Sequence, residues 1–308
     1  MYLDQLINMT TQIEEATVAV AVAEDCEVIE AVSLAIQKKL AKFILFGDSK
    51  KIHLLLSEHA PHLLENNDIL IAHAQTSVEA CTNAVKAVKN HDASVLMKGN
   101  VATSTILKGV LNKDYGLRTG KVLSHVAVFQ VPNYNRFILV TDAAMNIAPN
   151  LEQKEQIVQN AVLIAHSIGI PNPKVAALAA VEVVNPSMQA TLDADALTKM
   201  NKNGLLSGCI IEGPLALDIA VSKEAALHKG IDNEVAGAAD ILLVPNIETG
   251  NALYKSMVYF ANAEVGGMVA GAAAPIVLTS RADSAKSKLY SLALAICSTK
   301  KIIKGNEK

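Results

Sequence analysis

A chain of 308 residues is longer than one ordinary domain and shorter than three, so two domains sharing a cleft is the expected organisation. Hydrophobic residues make up 51% of it, yet no run approaches the roughly 18 to 20 uninterrupted apolar residues that a membrane-spanning helix requires. A net charge of −3 from 27 basic and 30 acidic residues, with 4% aromatics and no Trp, argues against a nucleic-acid binder and for small-molecule partners.

Residues 1–15 carry Asp4, Glu14 and Glu15 and lack the basic start and apolar middle of a secretory signal. The four cysteines, Cys26, Cys81, Cys209 and Cys297, are scattered and form no CxxC pair, and are expected to be reduced, buried and cytosolic. Short β-branched runs then alternate with longer helical stretches, the signature of α/β domains with largely parallel sheets. Residues 17–22 predict a strand, followed by a helix capped by Asp25 and running to about 40; 43–46 predict a second strand ending at Gly47 and Asp48. Strand and helix pairs follow at 69–72 with 77–89, and at 94–97 with 104–111. Two strand-like runs, 122–131 and 137–140, joined across Pro132 to Asn135, read as a hairpin. A long helix at 151–168, a strand at 175–179, a helix from near Pro186 and strands at 209–211 and 241–244 come next. A strand at 275–280 and a helix from Asp283 to about 302 close the chain. The change of rhythm near Ala127 predicts one α/β domain from 1–127 and 269–308 and an inserted second from 128–268.

Several common chemistries lack their motifs. No GxGxxG follows a strand, and no HExxH or GxSxG occurs. Gly116 to Gly120 with Lys121 is one residue short of a P-loop and has Val122 where Ser or Thr should hold magnesium. His59 and His62, three apart beside Pro61, read as exposed side chains rather than a metal site.

Ligands of open α/β sheets sit beyond the carboxyl ends of strands, and three features there carry chemistry. At 97–105 a strand end runs through Lys98, Gly99 and Asn100 into Thr103, Ser104 and Thr105, which open a helix. Free N–H groups, the helix dipole and the Lys98 charge could cradle an anion there; alternatively, Thr103 or Ser104 merely caps the helix. Lys98, Lys108, Lys113, Arg118 and Lys121 face a single acid, Asp114, a balance suited to a polyphosphorylated ligand or to a solvated basic face. The chain has three arginines: Arg118, Arg136 and Arg281. Arg281 follows a strand and precedes a helix, so its fork can grip carboxylate, phosphate or a developing oxyanion, whereas Arg136 flanks the hairpin as a surface residue. Gly266, Gly267 and 271–274 would admit a ligand to the backbone or pack a strand tightly on a helix.

These residues also carry a resemblance. The run AGAADILLVPNIETGNALYK at 236–255 and PIVLTSR at 275–281, with TDAAMNIAP at 141–149 and EGPLALD at 212–218, resembles the phosphotransacetylase/phosphotransbutyrylase family. Within it, TSRADS at 279–284 is nearest the butyryl-transferring members. The resemblance covers most of the chain from about Ser94 onward. It implies two α/β domains with an interdomain cleft, isocitrate/isopropylmalate dehydrogenase-like, assembled as a homodimer or higher oligomer through the inserted domain. It also implies cytoplasmic, reversible transfer of a short-chain acyl group between coenzyme A and phosphate: butyryl-CoA plus phosphate gives butyryl phosphate plus CoA. Thiolate attacks directly in a ternary complex; CoA is a substrate, and neither cofactor nor metal is implied.

On that resemblance, Arg281 and Ser280 stabilise charge on the reacting oxygens. Lys98, Gly99, Asn100, Thr103, Ser104, Thr105 and Arg118 take the phosphates, and Asn251 joins the substrate-binding set. One position departs from the pattern. Acetyl-specific relatives carry an aspartate six residues after the arginine as thiol base, and here Ser287 stands there. Asp283, four residues earlier and on the same face if the helix includes it, is expected to substitute, or a water held by Ser287 does; Asp283 could instead be the helix cap. A non-catalytic acyl-CoA-sensing module shares this fold, and Ser287 favours it while Ser280 and Arg281 oppose it. A nucleotide-dependent decarboxylating dehydrogenase would need a divalent metal and a carboxylate cluster, for which the sequence offers no clear candidate.

Overall fold

Runs of Val, Ile and Ala too short for helices, each followed by a capping residue, set the positions of the strands. The computed structural model describes residues 2–10, 13, 16–278 and 283–306. The chain opens with α1 (Asp4–Thr10), β1 (Ala16–Ala21), α2 (Cys26–Gln37), β2 (Ala41–Gly47), α3 (Ser49–His59), β3 (Ile69–His73), α4 (Ser77–Lys89), β4 (Val95–Lys98) and α5 (Thr103–Val110). It continues through β5 (Ser124–Gln130), β6 (Ile138–Thr141), α6 (Leu151–Ser167), β7 (Lys174–Leu178), α7 (Gln189–Lys202), β8 (Ile210–Leu215), α8 (Leu217–Val221) and α9 (Lys223–His228). The last elements are β9 (Ile241–Leu243), α10 (Ile247–Tyr259), β10 (Glu264–Ala270), β11 (Ile276–Val277) and α11 (Ala285–Asn306).

The chain forms two compact units, one from Leu3–Lys121 with Gly266–Lys308, the other from Val122–Val265. In the first, strands run in the order β3-β2-β1-β4-β11-β10, parallel except for the antiparallel β10–β11 pair. Four residues of β1, Val18 to Ala21, are fully buried, as a strand covered on both faces must be. Helix α11 is buried on every side from Lys288 to Thr299, with Leu289, Leu292, Ala293, Leu294, Ala295 and Ile296 supplying its apolar surface, which marks a central helix. Helix α1 covers it, with Tyr290 donating to Asp4 Oδ1 at 3.0 Å. Gly266 lies against α11 so closely that a Cβ would stand 2.9 Å from the Tyr290 carbonyl, and Gly267 N–H donates to Ser291 Oγ at 2.9 Å. These glycines therefore serve strand-on-helix packing.

In the second unit the order is β5-β6-β9-β7-β8, with β5 and β6 antiparallel and the rest parallel. The pairing of Ala127 with Val140 joins the two runs that read as a hairpin. Strand β5 lies wholly in this unit, so the expected boundary at 127 falls inside a strand. Its core holds Phe129, Val140, Ala176, Leu242 and Val265.

Three expected boundaries move. Helix α7 begins at Gln189 because a turn occupies 185–188, where Ser187 N–H donates to Asn185 Oδ1 at 2.9 Å. The strand expected at 275–280 is ordered as β11 over two residues only, and 279–282 lie outside the described residues. Helix α11 begins at Ala285, so Asp283 precedes it. Among the described residues no helix is long and apolar enough to cross a membrane. His62 Nε2 is hydrogen-bonded to Ser33 Oγ at 3.2 Å, a structural contact.

Candidate active site

The carboxyl ends of β1 and β4 converge in the first unit, and close backbone contact fixes their geometry. Gly99 N–H donates to Ala21 O at 2.8 Å and Asn100 N–H to Val22 O at 2.7 Å. Val22 itself turns at φ 61°, the left-handed region that β-branched residues rarely enter. A Cβ on Gly99 would lie 2.0 Å from Val22 O, so only glycine allows this approach. Asn100 Nδ2 donates to Glu24 O at 3.2 Å, tying the turn to the chain entering α2.

Lys98 is 5% exposed, and its Nζ donates to Gly99 O at 3.1 Å and Val101 O at 3.2 Å. The ammonium is thus folded beneath the turn. Its field also opposes the rise of the nearby Cys81 thiol, which burial nevertheless pushes up to about 11. Burial likewise lifts the Cys209 and Cys297 thiols to about 11, so all three are protonated, inert side chains at neutral pH. Cys26, expected to be buried, is instead exposed at the first position of α2.

Beyond the turn, Ala102 occupies the N-cap position of α5 and no side chain caps the helix. The capping alternative for Thr103 and Ser104 is therefore overturned: both lie inside the first turn, exposed, with Thr105 half-buried behind them. An uncapped helix start with three hydroxyls and a lysine below it is suited to receiving an anion. Arg118 is exposed on a loop clamped on both sides of it. Leu117 O accepts from Ala273 N–H at 2.8 Å, and Thr119 Oγ1 donates to Gly271 O at 2.5 Å. The segment that leads into β11 thus holds Arg118 in place. Lys108, Lys113 and Lys121 are exposed on the same stretch, whereas Lys98 is not part of its solvated face.

Asp283 is half-buried, and Ser284 caps α11 by accepting from Ser287 N–H at 3.2 Å. Asp283 is therefore neither the cap nor one helical turn below Ser287, and the same-face argument fails. Ser287 is half-buried, with Ser284 Oγ 3.2 Å from its hydroxyl. Ser280 and Arg281 lie outside the described residues.

Asn251 belongs to the second unit, exposed on α10, an element sequence reasoning did not anticipate. Gly250 beside it lets α10 approach the end of β6: a Cβ there would stand 2.7 Å from Asp142 O. Asp142 is 2% exposed and accepts from the Ala144, Met145 and Asn146 N–H groups and from Asn146 Nδ2, at 2.6 to 3.1 Å. Sequence reasoning quoted this stretch without seeing that Asp142 and Asn146 organise it; an aspartate after an apolar strand and four residues before an asparagine was the available signal. It also missed Lys288, a buried lysine just before the apolar run that begins at Leu289.

Comparison with known proteins identifies the family and the fold. The family model described as phosphate acetyl/butaryl transferase matches residues 57–296. The chain is 56% identical over 299 residues to the probable phosphate butyryltransferase of Bacillus subtilis, covering 97% of this chain and 98% of that one. It is 48% identical over 292 residues to the phosphate butyryltransferase of Clostridium acetobutylicum, covering 95% and 96%. Among solved structures, a branched-chain phosphotransacylase from Enterococcus faecalis superposes with a TM-score of 0.81 at 36% identity, over 92% of this chain and 99% of that one.

Proposed function

Since the chain belongs to the phosphate acetyl/butaryl transferase family, we propose that its strand-end cluster in the first unit binds phosphate for transfer of a butyryl group. The protein is a phosphate acyltransferase, butyryltransferase-like, and its substrates are CoA esters with phosphate or acyl phosphates with CoA. Toward acyl phosphate, a phosphate oxygen bonds to the thioester carbonyl carbon, the C–S bond breaks, and CoA leaves as a thiolate that takes up a proton. In reverse the thiolate attacks the acyl phosphate carbonyl and the C–O bond to phosphate breaks. A free thiol has a pKa of roughly 8.5, so a nearby positive field and a proton acceptor both speed this step.

In this reading Arg281 and Ser280 hold the oxygens on which charge develops, and alignment of the two substrates supplies much of the rate. The Gly99–Asn100 turn and the Thr103–Thr105 helix start take phosphate oxygens over the buried charge of Lys98, with Arg118 on its clamped loop in the same unit. Asp283, or a water held by Ser287, accepts the thiol proton. The observation that best supports the phosphate site is the uncapped start of α5 above buried Lys98. The proposed setting is the cytoplasm and the proposed assembly a homodimer through the second unit. Tyr259 and Phe260, 69% and 88% exposed, offer apolar surface for that contact.

Trapping acyl phosphate with hydroxylamine, from butyryl-, isobutyryl- or acetyl-CoA plus phosphate in EDTA, tests the reading. Fastest trapping with four-carbon esters is expected. Tight butyryl-CoA binding by calorimetry with no trapped product would make the protein a sensing module instead.

A further inference from the structure

Lys288 is a charged group at this strand-end region that the proposed chemistry leaves unused. It is 3% exposed in the first turn of α11, beside the apolar run that begins at Leu289. A buried ammonium is costly unless paired, and an apolar residue there would extend the central helix without that cost. Its partners explain why it is kept. Nζ reaches Glu27 Oε2 at 3.1 Å in the first turn of α2, and it also donates to the main-chain carbonyl of Asp283. Helix α2 in turn starts just after the β1 end to which the Gly99–Asn100 turn is hydrogen-bonded, and Asp25 caps it by accepting from Val28 N–H at 3.0 Å. One side chain therefore links the start of α11, the start of α2 and residue 283, which lies two residues from Arg281. Asp283 is the proton acceptor of the reading above, so where its backbone is held sets where its carboxylate can reach.

We propose that Lys288, anchored by Glu27, is a positioning residue for acyl transfer: it holds the Asp283 backbone and thereby the proton acceptor that Asp283 supplies. It touches no substrate and acts through a main-chain carbonyl. The inference rests on the acyl-transfer reading above.

The test compares Lys288→Met, Lys288→Arg and Glu27→Gln in phosphate-dependent CoA release from butyryl-CoA, with melting temperatures recorded alongside. A misplaced catalytic group lowers kcat without weakening ground-state binding, so Lys288→Met should lose about tenfold or more in kcat with both KM values within about twofold. Glu27→Gln should fall in the same direction by less, and Lys288→Arg should recover most of the lost kcat. Unchanged kcat in folded Lys288→Met, or a rise in KM alone, overturns the proposal. Should Lys288→Met fail to fold, Glu27→Gln decides, because it leaves the lysine in place: lower kcat at constant KM supports the role and unchanged kcat removes it. Wild-type turnover reports on acyl transfer itself, and the ratio of variant to wild type reports on Lys288. Without wild-type turnover both ideas fall; turnover with unaltered variants removes only the positioning role.

Discussion

Replacing Gly99 by alanine probes the strand-end turn at its tightest point. The added Cβ would meet Val22 O at 2.0 Å and Ala21 O at 2.8 Å, both backbone atoms that cannot swing aside like a side-chain tip. Relief requires the β4 end to move by about 1 Å, with an overpacking cost of about 1 to 3 kcal/mol. The same movement strains the hydrogen bonds from Gly99 N–H to Ala21 O and from Asn100 N–H to Val22 O, 2.8 and 2.7 Å long. Each is worth about 0.5 to 1.5 kcal/mol, so the total loss of stability is about 2 to 6 kcal/mol. A displacement of about 1 Å at a site that orients substrate costs on the order of 100-fold in rate. Urea denaturation measures the first effect, and phosphate-dependent CoA release at saturating butyryl-CoA measures the second, with kcat/KM for phosphate as the readout. A Gly99→Ala protein within about 1 kcal/mol of wild type and with unaltered phosphate kinetics would refute both the rigidity of the turn and its part in binding phosphate.

Other outcomes follow from buried charge and buried thiols. Lys154 and Asp193 form a 2.6 Å ion pair with side chains 6% and 7% exposed, and Gln189 also donates to Asp193 at 2.8 Å. Lys154→Met strands the carboxylate and should cost about 3 to 5 kcal/mol in urea unfolding, with the Lys154→Met/Asp193→Leu double variant recovering more than half; no loss in the single variant would mean the pair is hydrated. Burial raises the Cys81, Cys209 and Cys297 thiols from 9.0 to about 11, so the folded state binds more protons than the unfolded one between those values. Stability should therefore be fully present below pH 9 and fall as pH rises from 9 toward 11, and a triple alanine variant should flatten that fall in urea midpoint. Phe260→Ser should weaken self-association in sedimentation velocity, and an unchanged sedimentation profile would move the contact elsewhere.

The sequence carried much of this architecture because local signals and burial agreed. Val18 to Ala21 and Val95 to Met97 are apolar runs that the sheet buries completely, and Asp25 and Asn150 cap the helices that follow them. The turn at Gly99 was legible because glycine after a strand and before a helix has few other reasons to be there. Helix α10 was not, since Gly250 is its one buried residue and its apolar side chains are only partly covered, leaving a weak periodic stripe. Strand β10 was hidden by its two glycines, which disfavour strands in isolation; the closeness of Tyr290 explains Gly266. Asp283 and Ser284 are both good caps, and pattern alone does not decide which oxygen reaches the Ser287 amide. Lys288 shows the same limit: a lysine two residues after Lys286, at the start of a helix, reads as solvated until Glu27, 261 residues away in sequence, is brought beside it.

The proposed reaction is metal-independent acyl transfer to phosphate, with Arg281 proposed to hold the reacting oxygens. Its most direct test is CoA release from butyryl-CoA on adding phosphate, with EDTA present, by wild type and by Arg281→Ala whose butyryl-CoA affinity is checked by calorimetry. The account predicts phosphate-dependent release by the wild type and a loss of at least about 100-fold in the variant, with the ester still bound. Release that continues undiminished in Arg281→Ala, or that stops in EDTA, would contradict it.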